Sequence, residues 1–373
     1  ISLGLVGSEM CIRDRLCIVS SLDTGGAETM MMKLFRTFSK EYKMDFIVSS
    51  LTGYYEKEVL SLGGRIYRVP LRTKHPIKTF LAIERVVQKN HYNTVLKLCD
   101  TPKGYFDLLA ARCGGAKRLC VRSCNASATM GKLENILCNM IRPLFNKIAT
   151  QKIAPSLLAA EFTFGKKEVD KGNVYLLHNG IDLNIFQYND EGRKKIRKEL
   201  DISEEDFVVG HIGRFNKQKN HLFLIEVFEV LKKENPKAKL LLVGDGELKT
   251  EIIQCLERKG LTDCTILTGI RSDIPNLLSS MDLFLFPSLY EGMPNTVIEA
   301  QAVGLPCVIS DTITKDADVT GLVKYVSLEE PEEKWVEKCL DSKRKSTSVI
   351  KKQMMDSGYD ITSVANQFLD IIF

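Results

Sequence analysis

Apolar positions along this chain follow two alternating patterns. Short runs of β-branched and other apolar residues, bounded by polar or turn residues, alternate with longer stretches in which apolar residues recur at helical spacing. In the first half the runs fall at 16–19, 45–48, 65–69, 95–98, 118–121 and 174–177, and each predicts a strand. Between them, 27–38 places Met30, Met31, Leu34, Phe35 and Phe38 on one helical face, and 76–88 reads as another helix. The second half restarts the rhythm. Strands are expected at 207–212, 239–243, 265–267, 283–287 and 306–310, with helices at 220–233, 247–259, 274–281 and 294–303. Alternation of this kind predicts parallel sheets covered by helices, because a parallel pair needs a crossover long enough to hold one.

At 373 residues the chain is too long for one ordinary core and suits two domains. Asn179-Gly180 is a turn signal, followed by a polar stretch to Asp206. The expected division is therefore a first domain over 16–178 and a second over 179–355, with 356–373 a terminal segment that returns to the first. Residues 1–15 have no clear period and read as an extraneous leader. The fold class is α/β: two Rossmann-like, doubly wound domains facing a cleft, with ligands at the carboxyl ends of the strands.

Charge and cysteine usage narrow the setting. No apolar run reaches the roughly 18 residues of a membrane-spanning helix. The eleven cysteines form no C-x-x-C pair and no zinc spacing, which reads as reduced thiols in a cytoplasmic protein. Residues 1–178 carry 27 Lys and Arg against 15 Asp and Glu, or +12; residues 179–373 carry 25 against 32, or −7. A basic half either attracts anionic lipid or phosphorylated ligands, or is a solvated surface with a chance bias. The stretch 132–152 reads as a basic amphipathic helix: Leu133, Ile136, Leu137, Met140, Ile141, Leu144, Phe145 and Ile148 at helical spacing, with Lys132, Arg142, Lys147 and Lys152 beside them. Its apolar stripe either packs on the core or rests on an anionic membrane, as a peripheral protein of the inner face would.

Four loops carry candidate chemistry. Thr24-Gly25-Gly26-Ala27-Glu28 joins the first strand to the first helix, where glycines permit close approach and a helix N-terminus offers amides to an anion. The loop Gly213-Arg214-Phe215-Asn216-Lys217-Gln218-Lys219-Asn220 follows the first strand of the second domain; Arg214 and Lys219 suit a diphosphate. Gly244-Asp245-Gly246-Glu247 reads as a tight turn and no more. The fourth, Glu291-Gly-Met-Pro-Asn-Thr-Val-Ile-Glu299, runs from a loop into a helix opened by Pro294. It leaves the amides of Asn295, Thr296 and Val297 to meet a phosphate, and its two glutamates to meet ribose and sugar hydroxyls. Asp316-Ala317-Asp318 lacks the setting of a metal site and reads as surface.

Taken in order, these motifs resemble those of family 4 glycosyltransferases with the GT-B fold, over nearly the whole chain from Leu16. Glu291 and Glu299 match the spaced glutamate pair of that family. VSSLDTGGAE, HNGID, GHIGRFNKQKN and FPSLYEGMPNTVIEAQA resemble its N-terminal loop, interdomain turn, diphosphate loop and glutamate segment. The details are similar to members that build capsule, exopolysaccharide or lipopolysaccharide. The resemblance implies a retaining, metal-independent hexosyltransferase. Its donor would be a nucleotide-diphosphate sugar and its acceptor a glycan or a lipid-linked molecule; neither nucleic acid nor any cofactor is implied. Arg214 and Lys219 would bind the diphosphate, Glu299 the ribose, and Glu291, the catalytic candidate, the transferred sugar. Gly25 and Gly26 would lie beside the phosphates.

One departure stands out. Many relatives carry a histidine where this chain reads Arg122-Ser123-Cys124-Asn125, and often another near 96–100; this chain has neither. Arg122 and Asn125 are the acceptor-side candidates to take over that role. A catalytically dead subunit serving a partner transferase, and a GT-B epimerase, are the alternatives. The intact Arg214, Lys219, Glu291 and Glu299 weigh against the first, and the Glu291–Glu299 motif against the second. A dehydrogenase is disfavoured by the lack of a full G-x-G-x-x-G.

Overall fold

A computed structural model describes residues 15–99, 101–124 and 131–372. The leader expected over 1–15, apart from Arg15, and Asn125 lie outside these residues. The chain divides into two compact units, one running to Gly180 and resuming at Ile361, the other spanning Ile181–Asp360.

The first unit runs β1 (Arg15–Ile18), α1 (Gly26–Phe38), β2 (Asp45–Val48), α2 (Glu56–Ser61), β3 (Ile66–Arg68), α3 (Pro76–Asn90) and β4 (Thr94–Cys99). It continues through α4 (Tyr105–Cys113), β5 (Arg118–Ser123), α5 (Lys132–Ile148), β6 (Gln151–Ala154), α6 (Leu157–Phe164), α7 (Lys166–Asp170) and β7 (Tyr175–Leu176). The strands form one parallel sheet in the order β3-β2-β1-β4-β5-β6-β7. Side chains alternate across a strand, so β4 sends Leu96 and Leu98 to one face and Val95 and Cys99 to the other. Phe35, Phe38 and Phe46 fill the first face; Ile83, Val87, Leu108, Phe145 and Phe164 fill the second.

The second unit runs α8 (Asp190–Glu199), β8 (Phe207–Ile212), α9 (His221–Glu234), β9 (Ala238–Val243), α10 (Lys249–Arg258), β10 (Thr265–Gly269) and α11 (Ile274–Ser280). Then come β11 (Leu283–Phe286), α12 (Asn295–Ala302), β12 (Cys307–Ser310), β13 (Val323–Val326), α13 (Glu332–Leu340) and α14 (Thr347–Asp356). Its sheet is again parallel, in the order β10-β9-β8-β11-β12-β13. α15 (Ile361–Ile372) belongs to the first unit: Phe368 stacks on Phe38 at 6.3 Å, and a Cβ on Gly180 would fall 2.7 Å from Ile361 Cδ1.

Two readings of the pattern change. The helix expected over 132–152 ends at Ile148; Ala149 is extended, and Gln151–Ala154 is a strand pairing with β5. Lys152 therefore leaves the helix. It is buried in the sheet and pairs with Glu168 at 3.2 Å. The run 148–154 has the β-branched content of a strand but is too short to interrupt a helical period on paper. The strand at 323–326 also went unread, since its edge position leaves Val323, Lys324 and Tyr325 only half-buried.

Candidate functional site

The order of the second sheet creates the site. β8 is first in its unit, yet it lies beside both β9 and β11, so successive connections leave it in opposite directions. The loops after β8 and β11 then flank a switch point, where doubly wound sheets bind ligands. Those loops carry the two motifs singled out above.

Lys219 Nζ and Glu291 Oε1 meet there at 2.6 Å, both side chains largely shielded from solvent. Gln218 Nε2 donates to the same Glu291 oxygen at 3.1 Å and to the carbonyl of Tyr290 at 2.9 Å. The Leu289 amide returns a bond to the Gln218 carbonyl. The Lys219 ammonium also sits 4.5 Å from the centre of the Phe286 ring. Asn216 accepts from the Lys219 amide, which shapes the short turn 217–219. Arg214 stands apart at the exposed edge of the same loop, with no side-chain hydrogen bond or ion pair among the described residues.

Gln218 is a site residue that the sequence reading passed over. It lies between two basic residues, and its role depends on a partner about seventy positions away. The Gly-Asp-Gly turn also does more than close a loop. Gly244 has φ +143°, and a Cβ there would fall 2.0 Å from the Gly213 carbonyl oxygen; one on Gly246 would fall 2.4 Å from that of Phe215. The two glycines let the β9 loop press directly on the loop bearing Arg214 and Lys219.

α12 begins at Asn295 with Pro294 as its extended cap, one residue later than expected. Val297 is corrected: its amide donates to the Pro294 carbonyl at 3.0 Å and is not available to a phosphate. Thr296 keeps an amide with no acceptor among the described residues. Asn295, Thr296 and Glu299 are half-buried on the helix that Glu291 precedes.

Beneath the loop lie two buried histidines. His211 donates through Nδ1 to the Leu285 carbonyl at 3.0 Å and stacks on Phe286 at 5.3 Å; His221 meets it edge-on at 4.7 Å. Burial first, and then nearby positive charge, holds both below the ordinary histidine range, His221 at about 4. The unfolded chain therefore takes up protons that the native state refuses. Stability from these groups is complete above about pH 6.5 and is lost as pH falls toward about 4. Thermal unfolding followed by circular dichroism should show the midpoint falling between pH 7 and 5. A His211→Phe, His221→Phe double variant should flatten that slope. An unchanged slope would remove the pair as its cause.

In the first unit, Gly25 caps α1 and Gly26 begins it. A Cβ at Gly25 would fall 2.2 Å from Glu28 Oε2, so that carboxylate already occupies the first turn. Arg122 is the last residue but one of β5 and is buried, 4% exposed. Its Nη2 donates to Asn179 Oδ1 at 2.6 Å, while Nη1 has no partner among the described residues, and burial lowers the group to about 10. Of Asp316 and Asp318, the first is exposed and the second accepts from the Val323 amide.

Two parallel doubly wound units, with a basic loop and a glutamate-bearing helix at a switch point, are the marks of a GT-B glycosyltransferase. Residues 192–324 match the family model of the glycosyl transferases group 1. The chain is 33% identical to the glycosyltransferase EpsF of Bacillus subtilis over 95% of both chains. It is 28% identical to the UDP-Gal:alpha-D-GlcNAc-diphosphoundecaprenol alpha-1,3-galactosyltransferase of Escherichia coli, over 63% of this chain and 62% of that one. The fold matches Anabaena Alr3699/HepE, solved with UDP and glucose, at a TM-score of 0.77 and 20% identity over 96% of this chain and 98% of that one. This chain belongs to the group 1 glycosyl transferases.

Proposed function

We propose that this enzyme moves a hexosyl group from a nucleotide-diphosphate sugar to a lipid-linked glycan acceptor, with retention at the anomeric carbon and without a metal, in surface polysaccharide synthesis. The observation that supports this most is the Lys219–Glu291 pair at 2.6 Å. An entering diphosphate competes with Glu291 for Lys219. Arg214 at the loop edge and the Thr296 amide add positive potential around the same anion. Glu291, released from its lysine, accepts from a hydroxyl of the sugar being transferred. The bond from the anomeric carbon to the diphosphate oxygen breaks as the acceptor oxygen bonds on the same face. The acceptor proton passes to the departing diphosphate. The basic side chains stabilise that leaving group in the place of a cation.

A thermal-shift screen across nucleotide sugars identifies the donor, since a ligand of the native state raises its apparent stability. With that donor, turnover should persist in excess EDTA and the product should keep the donor's anomeric configuration. Dependence on Mn²⁺ or Mg²⁺, or an inverted product, would overturn the respective part of the reading.

The reading extends to a membrane surface. Among the described residues no helix is long and apolar enough to cross a bilayer. α5, however, is apolar on two sides. Cys138, Ile141 and Phe145 are buried, whereas Leu133, Ile136, Leu137, Met140 and Leu144 are 46–84% exposed. Arg142, Lys147, Lys166, Lys167 and Lys171 gather with Glu168 around a groove of about 670 Å³ along the same helix. An exposed apolar stripe beside clustered cations suits the face of an anionic bilayer, as for a peripheral protein of the cytoplasmic side. Each cation near that surface contributes about 1 kcal/mol, which salt screens. The protein should sediment with anionic vesicles at low salt and be released at high salt; a Met140→Asp, Leu144→Asp variant should stay in solution. Indifference to anionic vesicles at low salt would point to a soluble acceptor.

A further inference from the structure

The first unit contains a cavity that the transfer reaction leaves unused. It measures about 540 Å³, within the range of small-molecule sites. Its walls are mainly apolar, from Ile77, Phe80 and Leu81 of α3, Phe106 of α4 and Leu137 of α5. All of these follow β3, β4 or β5, so the cavity opens at the carboxyl edge of the sheet, where ligands bind in such folds. Its rim is unusually apolar for a surface: Ile77 is 74% exposed, Leu81 49%, Phe106 45% and Leu137 46%. Leu137 also belongs to the exposed stripe of α5, so cavity and stripe form one apolar surface.

The polar end of the cavity is electrostatically unbalanced. Asp107 is buried and takes two cations, Lys97 Nζ at 3.0 Å and Arg72 Nη1 at 3.1 Å. Lys97 is buried as well, while Arg72 remains one-third exposed where it lines the cavity. Lys103, the other cation of the lining, is paired with Glu134. A single carboxylate thus faces two cations in a poorly solvated place, and the surplus positive charge favours an anion. An apolar trough ending at a cationic group has the chemistry of an amphiphile with a long hydrocarbon tail and an anionic head. A protein partner would find apolar contacts here, but the one-third exposed arginine over a one-carboxylate, two-cation cluster suits a phosphate.

We propose that this cavity seats the first part of the isoprenoid chain of a polyprenyl phosphate or diphosphate, with Arg72 meeting its phosphate. The proposal rests on the reading of a lipid-linked acceptor, whose chain would pass from the bilayer beside α5 into the trough. The cavity then fixes which end of the acceptor is presented, as a positioning site distinct from the donor loops.

The test uses the full chain and geranylgeranyl phosphate, with geranylgeraniol as the uncharged comparison. A benzophenone-bearing isoprenyl phosphate should label peptides containing 72–81, 103–107 or Leu137. Phe106→Ser with Leu137→Gln should weaken geranylgeranyl phosphate binding about tenfold, since two apolar contacts are lost. Thermal unfolding and nucleoside-diphosphate affinity should be unchanged, because both side chains are half-exposed. Arg72→Gln should weaken binding of the phosphate but not of the alcohol. No binding to the wild type, equal binding to the double variant, or labelling elsewhere overturns the proposal. Transfer to a lipid-linked acceptor that is unaffected by the double variant also overturns it, while leaving the acceptor reading intact. Isoprenyl phosphate bound in the cavity of an enzyme that transfers only to soluble glycans supports the site and retires the lipid-linked acceptor.

Discussion

Glu291→Gln is expected to lower turnover by about a hundredfold or more while nucleoside-diphosphate affinity stays equal or rises. In the proposed reaction the carboxylate contacts the sugar that changes, so its loss would fall on the transition state. In the empty enzyme it also holds Lys219 at 2.6 Å, in direct competition with an incoming phosphate. A neutral amide is a weaker competitor, and Lys219 becomes more available to the donor. Steady-state kinetics and calorimetry with the nucleoside diphosphate separate the two effects. Glu299→Gln should show the opposite pattern, since the resemblance assigns it to the ribose: weaker donor binding with a smaller fall in turnover. Wild-type turnover in Glu291→Gln would remove that residue from the chemistry, and weaker diphosphate binding in it would reverse the assigned roles.

Lys219→Ala should weaken nucleoside-diphosphate binding by about 1.5–3 kcal/mol, or roughly ten- to a hundredfold, the scale of a charge-assisted hydrogen bond. Arg214→Ala should cost a similar amount of affinity, because a guanidinium can hold two phosphate oxygens at once. The two variants should differ in stability. Arg214 is exposed and has no side-chain partner among the described residues, so its removal leaves the unfolding midpoint unchanged. Lys219→Ala leaves Glu291, only 11% exposed, without its cation, and the midpoint should fall. Diphosphate affinity unchanged in either variant would exclude that residue from the donor site. Equal stability of both variants would mean that the Lys219–Glu291 pair contributes little to the empty enzyme.

Much of this architecture is legible in the amino-acid sequence. Four strands of the second unit, β8, β9, β11 and β12, are legible to within a residue, because strands buried on both faces are near-continuous apolar runs. The loop with Arg214 and Lys219 and the helix with Glu299 stood out because glycine, proline and charge cluster where a strand yields to a helix. Less was legible where a local pattern is compatible with two environments. β6 hid inside an expected helix, since four residues of strand leave too little period to detect. The Val297 amide was expected to be available, but the extended Pro294 cap turns its own carbonyl onto it.

By itself, the sequence determined the kinds of element, their alternation and the chemistry carried on each loop, because these depend on neighbours a few positions apart. It also carried the family, through motifs whose order along the chain is specific. Only the tertiary structure decided which loops meet. Lys219 and Glu291 are 72 positions apart and become partners because β8 and β11 lie side by side at the switch point. The same holds for α5. Its sequence has apolar residues on two faces, and nothing local says which face is covered. Packing against the sheet buries Cys138, Ile141 and Phe145 and leaves Leu133, Leu137 and Met140 in solvent, because the core offers a helix only one side.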